Sequence, residues 1–241
     1  MLRKCALFLL LLLVCGSVSA RAERTVVCAT SADVPPLEFV DDEGKIVGYA
    51  IDLIRAAGGI AGFKAEFKKV SRDALAAGLQ SGQYDAICSS VGLDEESRKA
   101  MDVSTPYLLA KQVMLVNSGT TIYSTTPAQT LRVGTLPGIA PARLQGARMT
   151  TFNNLAKAME EVYVKGLDGV VSDEVVGAYF ATVKYQGRLM VTGYLGDAGK
   201  NAYSVAVKKG NKEILSLVNQ GISTVQAREI DKELGMKWFA R

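Results

Sequence analysis

The chain of 241 residues has no histidine. The commonest proton shuttle is therefore missing, although aspartate, glutamate and lysine can still carry acid–base chemistry. Cysteine is scarce as well. Cys5 and Cys15 fall in an N-terminal apolar stretch, which leaves Cys28 and Cys88 for the body of the protein. Two thiols without histidine cannot close a zinc site. The acidic run Asp41-Asp42-Glu43 lacks the alternating spacing of a calcium loop and reads as a hairpin turn. No metal or cofactor is expected. No basic run with interleaved aromatics occurs, and the net charge of +4 falls to +2 once Arg3 and Lys4 are set aside. That argues against a nucleic-acid partner. There is no internal repeat. Past the N-terminus no apolar segment approaches the roughly 20 residues a bilayer span requires.

The first residues look like an export leader. Arg3 and Lys4 supply the positive end, residues 6–14 a short apolar core, and Val18-Ser19-Ala20 or Ala20-Arg21-Ala22 a small-residue cleavage site. Residues 1–22 are read as a signal peptide that sends the protein to the periplasm or otherwise outside the cytoplasm. An uncleaved anchor helix and lipid attachment at Cys15 are the alternatives, although Val14 suits lipidation poorly. About 220 residues then remain, enough for two lobes of roughly 100 each.

Along the body, apolar periodicity alternates between strand and helix. Residues 26–30 form a β-rich run before Pro35-Pro36. Leu37 and Phe39 flank polar Glu38 as in a half-buried strand, which would turn Glu38 outward. Gly44 offers turn chemistry, and a helix through Ile51, Ile54 and Arg55 is expected to close near Gly58-Gly59. A strand at 65–70, a helix at 72–80 capped by Ser71, and a strand at 85–89 follow. Strands are expected again at 111–117, 131–135, 169–172 and 189–193, with helices at 154–164 and 173–185. Residues 193–201 read as a return crossing, 203–207 as a strand rejoining the first lobe, and Ile214, Leu217, Val218 and Ile222 as the apolar stripe of a terminal helix. Alternating strands and helices indicate mainly parallel sheets.

The segment from Pro35 through Asp42-Glu43-Gly44 to Val47-Gly48-Tyr49-Ala50-Ile51-Asp52 resembles the opening of the family 3 solute-binding proteins, the extracytoplasmic amino-acid receptors of ABC importers. Leu79-Gln80-Ser81-Gly82-Gln83-Tyr84-Asp85-Ala86-Ile87, Ser104-Thr105-Pro106-Tyr107, Leu167-Asp168-Gly169-Val170-Val171-Ser172-Asp173, Asn219 and Lys237-Trp238-Phe239 are similar to further family motifs in the same order. The resemblance implies an α/β, two-lobed periplasmic-binding-protein fold of type II, each lobe a mainly parallel sheet flanked by helices. It implies a first lobe from residues 23–111 and 199–241, a second from 112–198, and a hinge at 107–112 and 193–201. It also implies a monomer that closes on a small-molecule ligand, an amino acid or related zwitterion or anion, and docks on an ABC permease in the inner membrane. A dehydratase of the cyclohexadienyl type on the same fold, and a binding or sensory protein with an altered site, are the rival readings. Cys28 and Cys88 would lie on neighbouring strands. Export permits a disulfide, but bridging adjacent parallel strands is awkward, so two buried free thiols are expected.

A buried zwitterion needs a partner for each charge. By the resemblance Asp173 would hold the ammonium, with a helix N-cap as its alternative. Arg98 would clamp the carboxylate through its planar fork, but it lies one residue past the family position, which is Ser97 here. Either the loop from Gly92 to Glu96 holds an extra residue and Arg98 reaches the cleft, or Arg98 points away and pairs with Asp94 or Glu95. Ser89 and Ser90 would meet the ligand's α-groups or serve as turn residues. Gly138 opens the second lobe's first helical region, where Ile139 and Ala140 replace hydroxyl residues and leave only backbone amides as donors. The positions of the family's two side-chain aromatics correspond to Val34 and Arg72. Arg72 would face an anionic ligand or be solvated. With Ser31 offering no negative charge, a basic ligand is not expected.

Overall fold

A computed structural model describes residues 24–89, 99–120, 122, 126–136, 142–195 and 201–239. The expected leader, with Cys15, lies outside the described residues. The chain opens with β1 (Arg24–Thr30) and a small meander of β2 (Asp33–Val34), β3 (Glu38–Val40) and β4 (Ile46–Val47). Helix α1 (Tyr49–Ala61) leads to β5 (Phe63–Lys69), and a 3-10 turn Arg72–Ala74 with α2 (Leu75–Gln80) leads to β6 (Ala86–Ile87). Then come β7 (Met101–Val103), β8 (Leu108–Ala110), β9 (Gln112–Asn117), β10 (Arg132–Thr135) and β11 (Arg148–Thr151). Helix α3 (Leu155–Tyr163), β12 (Gly169–Asp173), α4 (Glu174–Tyr179) and β13 (Leu189–Tyr194) follow. β14 (Asn201–Tyr203), β15 (Ala206–Lys208), α5 (Lys212–Ala227) and α6 (Ile230–Phe239) complete the described chain.

Two five-stranded sheets organise two lobes. The first has the order β5-β1-β6-β15-β7, with β5, β1 and β6 parallel and β15 antiparallel to both neighbours. The second has the order β11-β10-β12-β9-β13, with β11, β10 and β12 parallel and β9 antiparallel to both neighbours. A two-stranded ribbon of β8 and β14 lies between them in sequence on both passes of the chain. This is the two-lobed α/β class expected from the motifs. Each sheet is mixed because the strand after each pass of the ribbon inserts antiparallel.

Apolar periodicity explains the packing. On α1 the residues Ala50, Leu53, Ile54 and Ala57 are buried, and on α5 Ile214, Val218, Ile222 and Val225 are buried. The two helices touch closely at Gly221, where a Cβ would come within 2.5 Å of the Ala57 carbonyl oxygen. Helix α1 does not stop at Gly58-Gly59. It ends at Gly62, which takes φ +82° and donates its amide to Gly58 O at 2.8 Å. Gly58 serves close approach instead, since a Cβ there would sit 2.5 Å from the Phe63 carbonyl oxygen. Asn154 and Asn211 start α3 and α5 by accepting the amides of Lys157 and Ile214. Ser71 makes no side-chain cap, and the helix expected from 72 begins as a 3-10 turn. The helix expected at 173–185 passes into a π-helical turn at Phe180–Lys184, and the strand expected at 203–207 is divided between β14 and β15.

One apolar cluster runs from α1 and β1 through Tyr107 and Ala110 to Val113, Leu115 and the α3–α4 face of the second sheet. Aromatic contacts add to this join. Phe39 lies 6.4 Å from Tyr179 of the second lobe and 5.9 Å, edge-on, from Trp238 of α6.

Candidate functional site

Ligands of open parallel sheets lie beyond the carboxyl ends of the strands. In the first lobe the ends of β5, β1 and β6 stand side by side. Ser31 and Asp33 follow β1, Ser89 follows β6, and Arg72 follows β5 after a short turn. Hydrogen bonds join all four. The Ser31 amide donates to Ser89 Oγ at 3.2 Å, and the Ser31 hydroxyl donates to Asp33 Oδ1 at 2.6 Å. Arg72 Nη2 donates to the same Asp33 oxygen at 2.9 Å. The Ser89 hydroxyl donates to Glu38 Oε1 at 3.2 Å. A polar line thus runs Arg72–Asp33–Ser31–Ser89–Glu38.

Two members of that line escaped the sequence. Glu38 was expected to face outward, yet it is 0 % exposed while Phe39 is half-buried. The alternation fails because Ser89, 51 residues away, supplies a hydrogen bond that helps a carboxylate remain inside. Asp33 is the other, although the Ser31-x-Asp33 spacing immediately after a strand is a recognisable hydroxyl–carboxylate turn. Asp33 alters the electrostatics: Arg72 is not solvated, its side chain being only 9 % exposed, and its charge is met by a carboxylate. The premise for excluding a basic ligand, an unpaired arginine with no negative charge nearby, therefore does not hold. Val34 is buried within the apolar core.

Asp173 closes β12 in the second lobe, is 8 % exposed, and stands at the N-cap of α4 without making a side-chain cap bond. It accepts the hydroxyl of Tyr203, which comes from the ribbon strand β14. Tyr203 lies 6.4 Å, ring to ring, from Tyr107, and the Tyr107 amide donates to Tyr203 O at 2.8 Å. Burial first, then the nearby Glu38 charge, pushes the Tyr107 phenol well above its ordinary range. Burial and then Asp173 do the same to Tyr203. Both phenols therefore stay neutral; the Tyr203 hydroxyl donates to Asp173, while the buried Tyr107 hydroxyl meets no hydrogen-bond partner among the described residues. Cys28 and Cys88 are buried and unbridged. A hydrogen bond with Cys28, then burial, holds the Cys88 thiol well above its usual value, so it stays protonated.

The structure thus brings Ser31, Ser89 and Arg72 together and sets Asp173 against the ribbon. Ser90, Gly92, Arg98, Gly138 and Ile139 lie outside the described residues. None of the described candidate residues borders the apolar hollow of about 500 Å³ between Val113, Val175, Ala178, Val191 and Phe239.

Two sheet-bearing lobes, a connecting ribbon and charged and hydroxyl groups at the strand ends define a two-lobed binding-protein architecture. Residues 26–241 match the bacterial extracellular solute-binding proteins, family 3, and the chain belongs to that family. It is 30 % identical over 223 residues to a probable histidine-binding protein of Neisseria gonorrhoeae, covering 88 % of this chain and 82 % of that one. An ancestral arginine-binding protein bound to arginine superposes with TM-score 0.76 at 29 % identity, covering 89 % of this chain and 98 % of that one. The ancestral amino acid-binding protein AncCDT-1, a precursor of cyclohexadienyl dehydratase, superposes with TM-score 0.75 at 28 % identity, covering 89 % and 95 %. These relatives are binding proteins.

Proposed function

We propose that this protein binds a free amino acid between its lobes outside the cytoplasm and hands it to an ABC permease. The observation that carries the reading is the polar rim at the ends of β5, β1 and β6, with Asp173 at the end of β12 in the other lobe. In this reading residues 23–111 with 199–241 form one jaw and 112–198 the other, and the ribbon is the hinge. Asp173 meets the ammonium, Arg98 the carboxylate, and Ser89 and Ser90 the α-groups, while Gly138 and Ile139 offer backbone amides. The ligand shifts the equilibrium toward the closed form because only that form lets both jaws touch it. The exported, monomeric state is part of the same proposal. The relatives named above, a probable histidine-binding protein, an ancestral arginine-binding protein and an ancestral amino acid-binding protein, support it.

The test is a thermal-shift screen of purified protein against the twenty amino acids and a panel of organic acids, with product analysis. A ligand at a hundredfold excess over its Kd stabilises the folded state by about 2.7 kcal/mol. Stabilisation by an amino acid without turnover is expected. Turnover of a prephenate-like acid would replace the reading with the enzyme, and silence throughout would replace it with a degenerate site.

A further inference from the structure

Among the described residues the polar rim holds a donor without an acceptor. Arg72 spends Nη2 on Asp33, but its Nε is buried and has no hydrogen-bond partner. The side chain is only 9 % exposed, so bulk water does not readily satisfy that group. A buried donor left unmade is costly, and folded proteins rarely keep one without a reason. Beside it stands the Asp33 carboxylate, 25 % exposed, whose Oδ1 already accepts Ser31 and Arg72. An unmet donor thus lies next to an accessible acceptor, at the strand edge where ligands of this architecture sit. Arg72 and Asp33 cancel each other's charge. A cationic side chain would bring only donors to the Nε–H, and a carboxylate only acceptors to Asp33. An apolar side chain would leave the Nε–H unsatisfied.

We propose that Arg72 and Asp33 form the specificity pocket, and that they select an amino acid with an uncharged side chain carrying both an acceptor and a donor. A carboxamide fits: its carbonyl accepts from Arg72 Nε and its N–H donates to Asp33. Neutral imidazole offers the same pair of groups. This rests on the amino-acid-binding reading above and adds the side-chain class to it.

The experiment is calorimetric titration at pH 8 of the wild-type protein and Arg72→Lys with glutamine, histidine, alanine, glutamate, lysine and arginine. Lysine keeps a charge for Asp33 but has no Nε–H of this geometry. In the wild type, glutamine or histidine is expected to bind at least about tenfold more tightly than alanine, lysine, arginine or glutamate. In Arg72→Lys the preference for that ligand over alanine is expected to shrink about tenfold. Arg72→Met, with its melting temperature recorded, repeats the comparison should the lysine variant misfold. Lysine, arginine or glutamate binding as tightly as the best neutral ligand would overturn the proposal, as would an unchanged preference in both folded variants. In either case amino-acid binding itself would stand. No heat with any amino acid would overturn both readings.

Discussion

The two sheets share one strand order, three parallel strands followed by an antiparallel insert and an edge, yet they differ in how they are finished. In the first, β1 runs into a wholly buried stretch and the rim beyond it holds the buried Glu38. In the second, all four residues of edge strand β11 are exposed, and its charged pair, Arg132 with Asp168, sits near the surface. Carboxylates in the two lobes consequently do different work. Glu38 accepts a hydrogen bond from Ser89, a residue distant in sequence, whereas Asp168 accepts from its own strand neighbour. Removing a buried partner leaves other polar groups unsatisfied, and removing an exposed one lets water replace it.

That contrast can be broken at several points. Glu38→Ala should have the largest effect, about 3 kcal/mol in urea denaturation, because it leaves a void and deprives Ser89 of its acceptor. A loss below about 1 kcal/mol would mean the rim is far wetter than it looks. Next come two of the close-packed glycines. Gly221→Ala in α5 drives a methyl against the backbone of Ala57 and should cost about 2–3 kcal/mol. Gly177→Ala in α4 meets side chains rather than backbone, Leu115 Cδ1 at 2.7 Å and Val113 Cγ2 at 3.1 Å, and should cost about 1 kcal/mol. Equal urea midpoints for the two variants would erase the difference between backbone and side-chain contact. Phe39→Ala removes the ring that touches both Tyr179 and Trp238 and should cost about 1–2 kcal/mol.

The smallest effect belongs to the second lobe's surface pair. Arg132 hydrogen bonds to Asp168 and holds its carboxyl below the ordinary value. A depressed folded-state pKa gives stability that is present above the unfolded value of about 3.9 and lost as pH falls through the lower folded one. Asp168→Asn should therefore flatten a small part of the acid limb of a urea-midpoint curve below about pH 4 and change little at pH 7.

The alternation of elements was readable because it depends on local periodicity. Asn154 and the apolar face of α3, or Ile214, Val218 and Ile222 on α5, announce their helices without outside help. What escaped was set by distant partners. Gly58 looked like a helix end because glycine marks exits and close approaches alike, and only Phe63 decides between them. Edge strand β11 had no alternation to betray it, being exposed along its length. In the polar rim, Ser31, Ser89 and Arg72 stand out by motif position. Asp33 and Glu38 do not, because their roles exist only once three strand ends are assembled.

Trp238 is the only tryptophan in the chain. Its ring nitrogen donates to Asp52 at 2.9 Å, and its ring makes a T-shaped contact with Phe39, which in turn lies 6.4 Å from Tyr179 of the second lobe. A lone indole one ring removed from the second lobe is a built-in optical gauge. If the jaws shift on loading, its emission should move without any dye or tag, so affinities could be read from the untouched polypeptide in a cuvette.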